Sequence, residues 1–97
     1  MYVVVELNNK MKKNESRELK QNISFNIRKY RKIRHLTQEE LAEEADISYD
    51  FMRRIESSKG SCGFSVFTLY KLAVALDVSI DELMNRNLSN LTKTNNE

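Results

Sequence analysis

Four times between positions 36 and 83 the sequence repeats one three-part signal. An apolar residue is followed directly by Ser or Thr, and a second apolar residue stands five positions beyond the first. The sets are Leu36-Thr37 with Leu41, Ile47-Ser48 with Met52, Phe64-Ser65 with Leu69, and Val78-Ser79 with Leu83. At a helix start the hydroxyl accepts a backbone N–H that has no intrahelical partner, and the two flanking apolar residues pack on each other. Glu40 after Thr37, and Glu82 after Ser79, sit where a carboxylate returns the bond to the cap, so two of the four are capping boxes. Chance supplies one or two such sets, not four. With no proline in the chain, the spacing predicts helices over 38–45, 49–57, 66–76 and 80–86.

An earlier helix is predicted from about Glu18 or Gln21 to Arg34, because Ile23, Ile27 and Tyr30 fall on one helical face. The expected fold is all-α, a compact five-helix bundle over residues 21–86. Residues 1–20 read as an N-terminal extension in which 2–5 (Tyr-Val-Val-Val) has the composition of a short strand. Residues 87–97 read as a polar tail. Ile80, Leu83, Met84, Leu88 and Leu91 lie near helical spacing, so the last helix has an apolar stripe to offer a partner, or these leucines are loose ends.

Several function classes are poorly served by this composition. Cys62 and His35 are each the sole residue of their kind, so there is no intrachain disulfide and no cysteine-based metal site. Neither has a neighbour suited to nucleophilic catalysis. His35 reads as a surface or capping residue at a helix end. No enzyme, cofactor or metal is expected. No apolar run approaches the roughly 20 residues that cross a bilayer, and the first residues lack a signal-peptide pattern. The expected setting is the cytoplasm, on the nucleoid.

Residues 37–56, TQEELAEEADISYDFMRRIE, read as two short helices joined by a tight turn. Two helices crossing steeply are able to set the second into the major groove of duplex DNA. Net charge is only +2, but it is unevenly distributed. Arg28, Lys29, Arg31, Lys32 and Arg34 cluster, and Glu39, Glu40, Glu43, Glu44, Asp46 and Asp50 follow. A local basic surface can face phosphates despite the modest total; ordinary solvated charge is the plainer reading of the same pattern.

Residues 26–84 resemble the phage-repressor (Cro/repressor-type, lambda-repressor-like) helix-turn-helix domain. The matching residues are Leu36-Thr37-Gln38, Leu41-Ala42, Ile47-Ser48, Ile55-Glu56, Leu69 with Leu72-Ala73 and Leu76, and Val78-Ser79-Ile80-Asp81-Glu82-Leu83. The chain departs from the family at Asp46 and Ser58, where glycine is usual; Gly60 is available for the second turn.

The resemblance implies a structural ion pair between Arg31 and Glu56. It also implies that Ser48, Tyr49, Asp50 and Arg54 meet base edges. Arg54 is the leading candidate, since a guanidinium can bond guanine O6 and N7 together. Asp50, one turn earlier, either holds it in an (i, i+4) ion pair or accepts a bond from cytosine N4. Backbone contacts are expected from Arg28, Gln38, Phe51, Arg53 and Lys59. Partners are therefore double-stranded DNA and a second copy of the chain, held by the last helix or by the strand at residues 2–5. The alternative is an antitoxin-like module that uses the same fold to hold a partner protein.

Overall fold

In the computed structural model each of the four predicted caps performs the bond its spacing demands. The structure describes the backbone of residues 2–57 and 63–85, and the side chains of 17–57 and 63–85. Among these, five helices follow one another: α1 (Tyr2–Ile33), α2 (Gln38–Glu44), α3 (Tyr49–Glu56), α4 (Val66–Leu76) and α5 (Ile80–Met84). The hydroxyls of Thr37, Ser48, Ser65 and Ser79 accept from the backbone N–H three residues on. Both capping boxes close, with Glu40 and Glu82 accepting from the cap N–H.

Among the described residues, the ends of α1, α2 and α4 are made without glycine. His35, Asp46 and Asp77 all adopt left-handed backbone, with φ of 59°, 57° and 58°. In each case the next residue reaches back across the last turn: Leu36 N–H to Arg31 C=O, Ile47 N–H to Ala42 C=O, and Val78 N–H to Ala73 C=O, each at 3.0 Å. This is the paired closure that satisfies the last carbonyls of a helix. The apolar residue that closes one helix is therefore the same residue that staples the next. Leu36, Ile47 and Val78 all pack against the core.

At Asp46 the turn of the motif puts an L-residue where a Cβ is unfavourable, though Asp tolerates it better than most. Asp46→Gly is expected to stabilise the domain by about 0.5–1 kcal/mol. That corresponds to a Tm rise of roughly 2–8 °C. A fall in Tm would mean the exposed Asp46 carboxylate matters more than its backbone.

The core gathers Ile23 and Ile27 of α1, Leu41 and Ala42 of α2, Met52 and Ile55 of α3, Leu69, Leu72, Ala73 and Leu76 of α4, and Leu83 of α5. Ala42 is small where α3 crosses α2, which lets the two backbones approach. Polar anchors tie the layers together. Asn26 donates to the carbonyls of Leu83 (2.8 Å) and Asn85 (2.7 Å), which fixes the end of α5 on α1. Arg34 does the same for α4 through the Ala75 carbonyl at 2.7 Å. Among the described residues no buried side-chain nitrogen or oxygen lacks a partner.

The N-terminal expectation is corrected. Residues 2–5 are not a strand, and the first helix does not wait until Glu18; α1 runs unbroken from Tyr2. A lone strand has no neighbour to take its backbone N–H and C=O groups, whereas a helix satisfies them internally. Neither proline nor glycine interrupts the chain before position 60. In the single chain these residues are therefore helical and form no strand. Ser58, Lys59, Gly60, Cys62, Leu88, Leu91 and the tail at 87–97 lie outside the described residues.

Candidate nucleic-acid interface

α3 is strongly two-faced. Met52, Ile55 and Glu56 are buried, while Tyr49, Asp50, Arg53 and Arg54 are exposed and Phe51 is half-buried against the core. Ser48 precedes them as the cap, its Oγ accepting from the Phe51 N–H at 3.0 Å. The hydroxyl proton of Ser48 is not used by that bond, so its donor function is still available.

Two cations lie on this outer face, each beside an aromatic ring. The Arg53 guanidinium stands 5.6 Å from the Tyr49 ring centre, and that of Arg54 stands 5.7 Å from the Phe51 ring. The pairing of Asp50 differs from expectation. Its carboxylate meets Arg53 at 3.5 Å, an (i, i+3) contact, and not Arg54. Arg54 is drawn instead over Phe51, whose ring is held by the core and offers a fixed apolar platform. Asp50 and Arg53 are well exposed, so their pair is worth only a few tenths of a kcal/mol. Arg54 has no ion-pair partner among the described residues.

The opposite end of α3 is clamped. Glu56 is 2% exposed. Arg31 grips its carboxylate with two prongs, Nε to Oε2 at 2.6 Å and Nη2 to Oε1 at 2.9 Å. The third donor of Arg31, Nη1, holds the Leu36 carbonyl at 2.8 Å. Gln38 Nε2 adds a bond to Glu56 Oε1 at 3.0 Å. Arg28 donates to the Glu56 carbonyl, and Ser24 Oγ to the Ile55 carbonyl. Ser24, Arg28 and Arg31 lie at i, i+4 and i+7, one stripe of α1 turned onto the end of α3. Donors and positive charge there meet carbonyls at the negative end of the helix dipole.

The residues named from the sequence therefore divide. Ser48, Tyr49, Asp50, Arg53 and Arg54 share one outer surface. Arg28 and Gln38 are engaged in holding Glu56, although the Arg28 side chain keeps 37% of its exposure. Lys59 is outside the described residues. Ser24 and Asn26 escaped the sequence reading; the available signal was a polar residue beside each isoleucine of the apolar stripe of α1.

Acidic side chains bound the site on the other side. Glu39, Glu40 and Glu43, with Ala42, Ile47 and Tyr49, line a recess of about 400 Å³ between α2 and the start of α3. Three carboxylates repel phosphate, so a nucleic-acid backbone is steered away from that flank. Among the described residues no cluster of His, Cys, Asp and Glu is arranged to hold a metal ion. No described helix is long and apolar enough to cross a membrane.

Comparison with known proteins fits this geometry. A family model described as helix-turn-helix matches residues 27–83. Control protein C.SmaI of Serratia marcescens is 33% identical over 69 residues, which cover 71% of this chain and 80% of that protein. The crystal structure of the hypothetical transcription factor NHTF from Neisseria superimposes with a TM-score of 0.70 at 22% identity. The match covers 81% of this chain and 86% of that one.

Proposed function

The chain belongs to the Cro/repressor type of helix-turn-helix protein, and on that premise we propose that it represses transcription as a homodimer on a palindromic DNA operator. The family is one of DNA-binding transcription regulators; the repressor role, the palindrome and the dimer are the finer reading. The observation that carries it is the asymmetry of α3. Its base is fixed by Arg31 and Glu56, while Tyr49, Asp50, Arg53 and Arg54 are left clear on the outside. A rigid base and a free polar face are what a recognition helix needs to carry side chains to base edges.

In this reading Ser48, Tyr49, Asp50 and Arg54 read bases, and Arg53, Phe51, Lys59, Gln38 and Arg28 sit beside the backbone. One short helix reads too few base pairs to be selective, so two copies read a twofold-symmetric site, with half-sites about 34 Å apart. The work is done in the cytoplasm, at the nucleoid.

Selection of bound duplexes from a random pool by the purified full chain tests it. The expected result is a twofold-symmetric consensus with half-site centres about 10 base pairs apart. Affinity for that duplex is expected to fall by about a thousandfold or more between 50 and 200 mM salt, given roughly 6–10 phosphate contacts per dimer. A chain that enriches no sequence, or ignores duplexes even in dilute buffer, is not this regulator.

A further inference from the structure

α4 raises a question that its place in the fold leaves open. Its sequence, Val66–Leu76, is VFTLYKLAVAL, with Lys71 the one charged residue in eleven. Thr68, Leu69, Leu72, Ala73 and Leu76 face the core. At 100° per residue, Val66, Phe67, Tyr70 and Val74 fall within the opposite arc. They are 76%, 65%, 54% and 60% exposed. A helix that is apolar round its whole circumference is normally covered on all sides. Lys71 borders the stripe, its ammonium donating to the Asp46 carbonyl at 3.1 Å and lying 4.9 Å from the Phe67 ring centre.

We infer that the outer face of α4 is the surface on which a second copy of this chain docks. This rests on the homodimer reading above and deepens it. Val66, Phe67, Tyr70 and Val74 carry no charge for a phosphate; the one cation at the edge of the stripe, Lys71, is held on the Asp46 carbonyl and the Phe67 ring. The four side chains present roughly 400–500 Å² of largely apolar surface, the size of the largest patch on a typical monomer, often a functional one, and more than half of the ~800 Å² that each partner gives a stable interface. A twofold contact uses every residue twice, so one stripe supplies both halves of the apolar centre. An antiparallel crossing near Tyr70 sets Phe67 of each copy against Val74 of the other, large against small. α4 packs on α1, α2 and α5, so the pairing leaves the outer side of α3 open in both copies.

The test compares the full chain with Phe67→Lys and with Phe67→Lys/Val74→Glu. Sedimentation equilibrium without DNA gives the dimer constant, and circular dichroism confirms the fold. Binding to a single half-site duplex is measured separately. Phe67→Lys is expected to raise the dimer dissociation constant about a hundredfold or more, as loss of a central aromatic anchor does. The double variant is expected to recover at least a tenfold part of that, because each lysine then meets a glutamate across the axis.

Half-site binding is expected to stay as in the parent for both variants. A Phe67→Lys chain that remains dimeric, or a double variant that recovers nothing, overturns this surface. A parent chain that is monomeric yet binds half-sites overturns the dimer and leaves DNA recognition standing. Half-site binding lost in a folded Phe67→Lys chain would place α4 on the DNA and overturn the inference.

Discussion

Arg31→Ala is expected to cost about 3–5 kcal/mol, as removal of one partner from a buried ion pair does. The carboxylate left behind is 2% exposed, and it loses both of its shortest bonds together. Gln38 remains at 3.0 Å and Arg28 Nε at 3.9 Å, neither placed to replace a two-pronged guanidinium. A small domain holds about 5–15 kcal/mol in total. The fall in Tm should accordingly exceed roughly 12 °C, and partial unfolding at 37 °C is expected. Chemical denaturation followed by circular dichroism reads the loss.

A companion chain with both residues made apolar, Arg31→Met with Glu56→Leu, should lose less than the two single changes added together. An apolar pair leaves no charge stranded in the core. If Arg31→Ala costs less than about 1 kcal/mol, water reaches Glu56 and the clamp on α3 contributes little to stability.

Arg54→Ala is the second large effect, and it falls on recognition instead of stability. The side chain is exposed, and among the described residues its guanidinium lies over the Phe51 ring, so the fold should change by no more than about 0.5 kcal/mol. A bidentate contact with guanine is worth roughly 1–3 kcal/mol, and a dimer carries two, so affinity for the selected palindrome should fall about 30-fold to 10,000-fold. Preference at one base of each half-site should relax with it. Arg53→Ala offers the contrast: a phosphate neighbour should weaken all duplexes alike and lower the salt slope by about one per copy. Undiminished sequence preference in the Arg54→Ala chain would move the reading of bases to Ser48, Tyr49 or Asp50.

The contrast between these two arginines shows how much of the site was local information. Arg54 reads as an outward residue from spacing alone, because Met52 and Ile55 define the inward side of a short helix. Its lack of a bond to Asp50 does not. Arg53 and Arg54 both lie within reach of that carboxylate along the chain, and the choice was made by Phe51, whose ring is held in place by the core. Gln38 and Arg28 teach the same lesson. Each is a plausible phosphate ligand by position, but Gln38 is turned onto the buried Glu56 carboxylate, which must collect donors, and Arg28 onto the Glu56 main-chain carbonyl at the end of α3.

Helix starts and stops were carried by the sequence, since a cap or a left-handed closure is a bond between residues three to five positions apart and needs no distant partner. Thr37, Ser48, Ser65, Ser79 and the tolerant Asp46 are decisions of that kind. The choice between strand and helix for residues 2–5 depended on whether a neighbouring strand existed, which no local pattern reveals. The exposed side of α4 was invisible for a related reason. A helix apolar on every side has no periodicity to tell inward from outward, so only its packing on α1, α2 and α5 determined which residues would be left facing solvent.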